Sequence, residues 1–363
     1  MGQRAAGRGA GRRPSPWGSN LVRARRLSLP TGDAARRAAG RRAAGVAGVV
    51  GVIPAEVSHL EVAAESHPGE TGKNNEDAYS VASFRLESDG TPSVVAIVAD
   101  GVGGHRAGEI ASRMAVEIVG KRLAESSGAD PAAALRTAIV EAGHAISTAA
   151  EAMPERQGMA STIAVAWIIG RRLFTASAGD SRIYIRRRGR LQQASIDHSW
   201  VQEAIDHKII APEEAHGHPH AHILRRYLGG ALEPQPDLRL RLAAGEGDDR
   251  ALANQGFELE PGDQVLLCTD GLTDLVSDRE IDETLLTGTA AEAASALVVL
   301  ARARGGHDNI TTVLLRVPGA PTGRRARLPA GVVVATSVAA LLACVLAGVA
   351  AALWFGWWPW LGR

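Results

Sequence analysis

Four aspartates stand where short apolar segments begin or end: Asp100, Asp180, Asp270 and Asp308. Asp100 directly follows the run 94–99, and Asp308 comes just before the run 310–317. A carboxylate at the end of a buried strand costs free energy unless a counter-charge neutralises it. Several converging carboxylates repel one another, and a divalent cation is the usual remedy. Since such ligands are hard oxygens, the pattern predicts a Mg²⁺ or Mn²⁺ site rather than a Zn²⁺ site.

Glycines accompany these aspartates along the chain. Gly101 and Gly271 each follow one of them, and Gly179 precedes another. Glycine lets the backbone turn sharply, which could bring a carbonyl oxygen to the same ion. Any single Asp-Gly pair is better explained as an ordinary turn. The prediction of a metal site therefore rests on the ordered set.

The segments that must position these carboxylates are short apolar runs and long amphipathic stretches. The predicted strands are Val94–Ala99, Ser161–Ile169, Leu173–Ser177, Arg182–Ile185, Val265–Cys268 and Ile310–Val317, with a hairpin turn at 186–190. The predicted helices are Ala107–Leu123, Pro131–Ala152, Ser199–His207 and Ala290–Ala303. Strands before and after two adjacent long helices favour an α+β layered domain over a wound parallel sheet.

Charge is distributed unevenly along the 363 residues, although the net charge is only +1. Residues 1–50 carry eleven Arg and one acid, whereas residues 51–363 carry 29 basic and 38 acidic side chains, a net charge of −9. An acidic body suits divalent cations and argues against a nucleic-acid-binding core. The two cysteines, Cys268 and Cys344, lie in apolar runs, so we expect no disulfide framework and a reducing compartment.

Both ends of the chain differ from its middle. Residues 1–55 form an Arg/Ala/Gly-rich tail that we expect to be disordered. At the other end, a basic linker (319–330) precedes the apolar stretch 331–353, which would span roughly 34 Å as a helix. Four tryptophans within 354–363 are typical of a membrane interface. We therefore predict a single-pass anchor in the cell membrane.

The arginines of the linker indicate how this anchor would be oriented. Arg324, Arg325 and Arg327 lie on the side of the apolar stretch that faces the body of the chain. By the positive-inside rule, this places the body in the cytoplasm.

The ordered motifs of the body resemble those of the PPM family, the metal-dependent type 2C serine/threonine phosphatases, in its bacterial form. The resemblance covers about residues 58–317. The segments that carry it are 74–79 (NNEDAY), 98–105 (VADGVGGH) with 107–109 (AGE), 159–162 (MAST), 178–184 (AGDSRIY), 197–199 (DHS), 268–274 (CTDGLTD) and 306–311 (GHDNIT).

The resemblance implies roles for individual residues. The implied metal ligands are Glu76, Asp77, Asp100, Gly101, Asp180, Asp270 and Asp308. Asp100 would bridge two metals, and Asp270 and Asp308 would complete the first site; these three are the implied catalytic residues. A water between the two metals would lose its proton and attack phosphorus directly, without a phosphoenzyme.

The remaining ligands are assigned by the same resemblance. Glu76 and the Gly101 carbonyl would help hold the second metal, with Asp77 close behind. Asp180 would join Asp270 at a third, weaker site.

The family fold implied for residues 56–318 is a four-layer α-β-β-α sandwich, with two antiparallel sheets flanked by helices. Residues 199–230 would form a flap beside the site. The implied function is hydrolysis of phosphoserine and phosphothreonine in proteins, opposing a bacterial Ser/Thr kinase.

Two positions depart from the family pattern. An arginine that grips the substrate phosphate in many members is replaced by Gly72, and Lys73 beside it could bind phosphate as a point charge. Val102 stands where eukaryotic members carry a histidine proposed as general acid. His105 is a candidate donor, although a structural histidine is the better interpretation. These departures keep open an alternative function, a catalytically weak scaffold that binds phosphoproteins at the membrane.

Four alternating histidines lie within the expected flap: His216, His218, His220 and His222. They could form a site for a softer metal, but no thiol or carboxylate lies at ligand spacing along the chain. A solvated flap segment is the favoured interpretation.

Overall fold

A computed structural model describes residues 52–54, 58–86, 89–103, 107–215, 217–230 and 233–319. The chain divides into two units, residues 1–318 and 319–363, and every described helix and strand belongs to the first. The predicted tail (apart from 52–54), most of the linker, the apolar stretch 331–353 and the Trp-rich end lie outside the described residues, as do His105 and His216. Among the described residues, no helix is long and apolar enough to cross a membrane.

Strands form two antiparallel sheets and a short two-stranded ladder. The strands are β1 (Val52–Pro54), β2 (Glu61–His67), β3 (Ala78–Leu86), β4 (Pro92–Ala99), β5 (Gly101–Val102), β6 (Ala160–Ser161), β7 (Ile163–Ile169), β8 (Arg172–Ala178), β9 (Arg182–Arg187), β10 (Arg190–Gln193), β11 (Phe257–Glu258), β12 (Gln264–Cys268) and β13 (Ile310–Arg316). One sheet has the order β1-β3-β4-β7-β8-β11, the other β10-β9-β12-β13-β2, and β5 pairs with β6.

The α-helices of the described residues are α1 (Ala107–Ala124), α2 (Pro131–Glu151), α3 (Trp200–Asp206), α4 (Asp248–Ala253), α5 (Asp270–Thr273), α6 (Asp278–Leu285) and α7 (Ala290–Ala303). The longest of them, α1, α2 and α7, pack on the outer faces of the two main sheets. The long helices begin with the residues that favour a helix start. Asp130 caps α2 by accepting the Ala133 N–H at 3.0 Å, with Pro131 at the first helical position. Thr289 and Glu292 form a capping box at the start of α7.

The layers can be traced through β4, which is buried on both faces. Val95, Ile97 and Ala99 pack in a core with α1 and α2, whereas Val94, Ala96 and Val98 pack in a second core between the two sheets. A third core joins β12 and β13 to α6 and α7. This arrangement is the α-β-β-α order that the resemblance implied. A strand covered on both sides must be apolar throughout, which explains the unbroken runs in the sequence.

The predicted elements are found with small shifts at their ends. The predicted strand 161–169 is interrupted at Thr162, so that β6 leaves the main sheet to pair with β5. The predicted hairpin turn is confirmed: Arg188 and Gly189 both have positive φ, at 50° and 79°, between β9 and β10.

Candidate metal centre

Asp100 stands at the end of β4, held by hydrogen bonds from the strand that follows α2. Its N–H donates to Thr162 Oγ1 at 2.9 Å. Its carbonyl oxygen accepts the Thr162 N–H at 2.8 Å and the Ser161 hydroxyl at 3.1 Å. These contacts lie at the interruption between β6 and β7. The break in the strand therefore positions the backbone of Asp100.

Gly101 allows the start of α1 to approach the loop that carries Glu76. A Cβ atom at Gly101 would lie 2.1 Å from the Gly108 oxygen and 2.8 Å from the Glu76 oxygen. The Gly101 N–H donates to that Glu76 oxygen at 3.2 Å, and the Ser112 hydroxyl donates to it at 2.5 Å. Only glycine fits between these two backbones. The glycine after Asp100 therefore allows the two backbones to lie close together.

Asn309 connects the loop of Glu76 to the loop of Asp308. Its Oδ1 accepts the Glu76 N–H at 2.7 Å, and its Nδ2 donates to the carbonyl oxygens of Pro68 and Asn74, each at 3.1 Å. The Asn309 N–H also donates to Asp308 Oδ1 at 2.8 Å. One side chain thus fixes two acidic loops that are more than 200 residues apart in the sequence.

Asp270 follows β12 and is the first residue of the short helix α5. Thr269, just before it, donates its hydroxyl to Asp77 Oδ2 at 2.9 Å. Asp77 is enclosed behind the site, and its Oδ1 is buried without a hydrogen-bond partner. Asp270 Oδ1 is buried and unpartnered in the same way. Unpaired buried carboxylate oxygens are costly, so these two atoms point to a cation as the missing partner.

Asp180 is presented by the turn between β8 and β9. Gly179 has φ +109°, a conformation that favours glycine, and it lies against Thr162. The buried His198 contacts the same turn. Its Nδ1 atom lies within hydrogen-bond distance, 3.1 Å, of both the Gly179 N and O atoms. His198 Nε2 lies in turn 3.0 Å from Asp237 Oδ2. His198 lies in the motif 197–199, but its supporting role at this turn was not predicted from the sequence.

These residues converge on one cavity of about 610 Å³. Its lining comprises Lys73, Asn74, Glu76, Asp100, Gly101, Val102, Gly103, Asp180, His222, Leu224, Asp270, Asp308 and Asn309. All but one of the implied metal ligands line it. Asp77 does not line the cavity, and its Oδ2 accepts the Thr269 hydroxyl instead. Lys73 lies at the cavity as the phosphate-binding prediction requires.

Electrostatic repulsion is strong inside this cavity. Burial, followed by the charges of Asp270, Asp77, Asp180 and Asp308, raises the pKa of Asp100 well above its ordinary value. Burial and the charge of Asp270 likewise raise the pKa of Asp180. Burial raises the pKa of Asp77 to about 7, although hydrogen bonds from Thr311 and Thr269 act against the shift. In each case burial and, after it, neighbouring carboxylates disfavour the charged form, and divalent cations would supply the missing counter-charge.

His222 has an exposed side chain, as the interpretation of the alternating histidines as a solvated segment requires, and it also approaches two aspartates. Its Nδ1 lies 3.6 Å from Asp270 Oδ2 and 3.8 Å from Asp274 Oδ2, at the edge of the cavity. The side-chain interaction with Asp270 raises the pKa of His222 to about 9. The interpretation of a solvated segment therefore holds for His222, which adds an ionic contact at the cavity edge. No local pattern could have revealed this contact, since 48 residues separate His222 from Asp270.

The neighbouring histidines behave differently. His218 stacks on Trp200 with ring centroids 5.1 Å apart, and His220 packs edge-on against the same ring at 4.9 Å. They are held by an aromatic contact rather than by carboxylates.

Comparison with known proteins bears on this arrangement. A family profile described as "Protein phosphatase 2C" matches residues 66–314. The serine/threonine protein phosphatase PstP of Mycobacterium tuberculosis is 36% identical over 274 residues, which is 76% of this chain and 48% of that protein. The chain thus spans about half the length of this relative.

Two solved structures resemble the fold. The crystal structure of the M. tuberculosis serine/threonine phosphatase PstP/Ppp aligns with a TM-score of 0.61 and 36% identity, covering 71% of this chain and 99% of that one. The catalytic domain of PstP in complex with two manganese ions aligns with a TM-score of 0.58 and 35% identity, covering 71% and 97%.

Proposed function

Because the chain belongs to the protein phosphatase 2C family, we propose that it hydrolyses phosphoserine and phosphothreonine in proteins, using two divalent cations, Mn²⁺ or Mg²⁺. The observation that supports this most strongly is the convergence of Asp100, Asp270 and Asp308 on one cavity. Two of these carboxylates are each presented by the end of a buried strand, on loops that other side chains hold in place.

The residues present fit the proposed cations. Asp270 has a buried carboxylate oxygen with no partner, and the charge of Asp270 helps to raise the pKa of Asp100. We assign Asp100 as the ligand shared by both ions, with Asp270 and Asp308 at the first ion. A relative's catalytic domain is described as binding two manganese ions, which supports the same number here.

Three further assignments complete the set. Glu76 and the Gly101 carbonyl would help hold the second ion, while Asp180 would bind a third, more weakly. Asp77 has a different role in this proposal, because it does not line the cavity. Its carboxylate, which accepts the Thr269 hydroxyl, would balance the charge of the cations without contacting them.

When bound, the cations lower the pKa of water and offset the charge that builds up on the phosphoryl oxygens. The residues of the chain hold the cations and orient the substrate. Lys73, which lines the cavity, would attract the substrate phosphate as a point charge. Val102 lines the cavity with an exposed side chain that can donate no proton to the leaving group.

Activity of the full chain in detergent micelles tests the proposal. It should cleave p-nitrophenyl phosphate and release phosphate from a phosphothreonine peptide with Mn²⁺, and EDTA should abolish both. Asp100→Asn and Asp270→Asn should each lower the phosphatase activity by more than about 100-fold. Even residues that merely orient metal ligands typically account for a 10–100-fold change in metal affinity or activity. Asp249→Asn, at an exposed position on α4, is the matched control. Metal-independent hydrolysis would refute the proposal.

The rival function is a scaffold that binds phosphoproteins with little turnover, motivated by Gly72 and Val102. The scaffold predicts that the chain retains the phosphothreonine peptide and releases no phosphate. The enzyme predicts release, with only transient retention. Hydrolysis of bis(p-nitrophenyl) phosphate at a comparable rate would instead indicate a phosphodiesterase.

Attachment to the cell membrane and an opposing kinase also belong to the proposal. Residues 331–353 have the length and composition of a single span, and the arginines before them favour a cytoplasmic body, residues 56–318. A chain ending at residue 330 should leave the membrane fraction on cell lysis, whereas the full chain should stay there after a carbonate wash. Phosphopeptides that accumulate in a deletion strain would identify the substrates and, through them, the kinase.

A further inference from the structure

Five arginines form one basic face at an end of the two main sheets. They come from the start of β8 and from the hairpin of β9 and β10, and we call them the arginine face: Arg171, Arg172, Arg187, Arg188 and Arg190. Glu258 joins the two groups. Its carboxylate accepts a hydrogen bond from Arg171 at 2.6 Å, and its carbonyl oxygen accepts one from Arg187 at 2.6 Å.

The arginine face carries more positive charge than its carboxylate neighbours neutralise. Three acidic side chains pair with it: Glu258, Glu260 and Asp263. Five arginines against three carboxylates leave a net charge of +2, whereas residues 51–363 together carry −9. Arg172 and Arg190 are exposed and have no carboxylate partner among the described residues, and Arg188 is 76% exposed. Such a local excess on an acidic protein directs an anionic partner to this face.

The arginine face and the metal cavity lie at opposite ends of the strands. β12 begins at Gln264, which pairs with Arg186 beside the face, and ends two residues before Asp270 of the cavity. β8 likewise begins at Arg172 and ends two residues before Asp180. A strand of this length spans roughly 23 Å. A partner bound at the arginine face would therefore leave the metal cavity open.

The chain leaves its folded body beside the same face. Val317, the residue after β13, donates its N–H to the Asp263 oxygen at 2.8 Å, and its own oxygen accepts the Gly262 N–H at 3.0 Å. Asp263 is also the ion-pair partner of Arg187, whose Nε donates to its Oδ2 at 2.9 Å. The end of the body therefore adjoins the arginine face.

The length of the following sequence limits how far this face can lie from a bilayer. Residues 319–330 separate the body from the apolar stretch 331–353 and reach at most about 43 Å when fully extended. A short tether of this kind keeps the face at a high effective concentration relative to lipid headgroups. An anionic leaflet attracts basic side chains that come within a Debye length, about 8 Å. Connectivity thus favours phospholipid over other polyanions as the partner.

We propose that the arginine face docks on anionic phospholipid headgroups and turns the metal cavity away from the bilayer. This inference rests on the proposed membrane attachment and adds a second contact to it. Docking would select one orientation from the many that the linker allows. Phosphorylated substrates would then reach the cavity from the solvent.

Arginine labelling of the full chain in lipid nanodiscs tests this directly. The nanodiscs contain phosphatidylcholine alone or an equal mixture with phosphatidylglycerol, and mass spectrometry follows the reaction of each arginine with p-hydroxyphenylglyoxal. Labelling of Arg172, Arg188 and Arg190 should slow by about fivefold in the mixture, the factor that corresponds to about 1 kcal/mol for each arginine near an anionic surface. Arg113 and Arg279, exposed on α1 and α6, should react equally in both. High salt should remove the difference, since it screens exposed charges.

Two double variants separate docking from other effects of the lipid. In Arg188→Gln/Arg190→Gln, phosphatidylglycerol should slow the labelling of Arg172 by less than about twofold, because the face has lost its net positive charge. In the matched Arg113→Gln/Arg279→Gln, the full effect on Arg172 should remain. Both variants should hydrolyse p-nitrophenyl phosphate like the wild type, because none of the four arginines lines the metal cavity.

Equal labelling of the arginine face in both kinds of nanodisc would overturn the proposal, as would full protection of Arg172 in Arg188→Gln/Arg190→Gln. Protection by an added DNA duplex but not by phosphatidylglycerol would overturn it in favour of a nucleic acid. A chain that a carbonate wash removes from membranes would refute the anchor and this proposal together. Protection without any phosphatase activity would refute the phosphatase function alone and support the docking.

Discussion

The Oδ1 atom of Asn309 accepts the backbone N–H of Glu76 at 2.7 Å. This hydrogen bond joins the loop that carries Glu76 to the loop that carries Asp308. The same side chain donates two further hydrogen bonds to carbonyl oxygens of the loop before Glu76. A residue outside the proposed ligand set thus fixes the distance between two sets of proposed ligands. Such orienting contacts commonly affect metal affinity strongly.

Asn309→Ala should therefore weaken Mn²⁺ binding by about 10–100-fold and lower the free energy of unfolding by about 1–3 kcal/mol. Titration calorimetry and urea unfolding measure the two effects. Asn254→Ala is the matched control, since the Asn254 side chain donates to the Leu240 oxygen at 2.9 Å and does not line the cavity. It should lower stability without changing Mn²⁺ affinity. Equal Mn²⁺ affinity in both variants would contradict the orienting role.

Gly101→Ala should destroy the site by forcing two backbones apart. The new methyl group would lie 2.1 Å from the Gly108 oxygen, a clash that the start of α1 can relieve only by moving. Overpacking usually lowers the free energy of unfolding by about 1–3 kcal/mol, and we expect a loss of at least about 2 kcal/mol here. We also expect Mn²⁺ binding to be lost. Gly247→Ala, where an added methyl group meets nothing within 4 Å, should cost less than about 1 kcal/mol. Thermal unfolding and calorimetry of both variants check this.

The pH dependence of stability should reveal the crowded carboxylates when no metal is present. Burial raises the pKa of Asp77 to about 7 in the folded chain, so the folded state binds more protons than the unfolded state above pH 4. The free energy of unfolding in EDTA should therefore fall as the pH rises from about 4 to about 7, by at most about 1.4 kcal/mol per pH unit for this one group. Urea unfolding at several pH values measures the slope.

Two comparisons make the assignment to Asp77 specific. Asp77→Asn should reduce the slope in EDTA, because the amide does not ionise. Mn²⁺ should reverse the trend in the wild type, since the cations require deprotonated ligands. An identical slope in the wild type and in Asp77→Asn would show that a group other than Asp77 causes the pH dependence.

Lys73→Ala should raise KM for a phosphothreonine peptide by about 3–10-fold and leave kcat nearly unchanged, as expected for loss of uniform binding. Lys73→Arg should restore KM, because either cation attracts phosphate. Lys121→Ala, an exposed lysine on α1, is the control. An unchanged KM in Lys73→Ala would show that Lys73 is an ordinary surface residue.

Strands that are buried on both faces could be predicted from the sequence, whereas half-buried strands such as β2 and β3 could not. The strands β4 and β12 appear as unbroken apolar runs because helices cover one side and the opposite sheet covers the other. The strand β2, EVAAESH, was not predicted, since it lies at a sheet edge and is rich in Ala and Glu. Its pairing with β13 decides its conformation.

The acidic residues of the site were found because each lies beside a recognisable strand or within a recognisable motif. The contacts that connect them were not found. The hydrogen bond between Asn309 and Glu76 and the approach of His222 to Asp270 depend on how the two sheets and the flap come together. Such distant contacts leave no periodicity in the sequence.

The most direct test is diffraction from crystals of the chain grown with Mn²⁺, using the anomalous signal of manganese. We expect two strong peaks within the main cavity, one contacting Asp100, Asp270 and Asp308 and the other contacting Asp100 and the Gly101 carbonyl. Both peaks should vanish in Asp100→Asn crystals. A cavity without manganese, in a chain that still hydrolyses phosphothreonine peptides, would contradict the account.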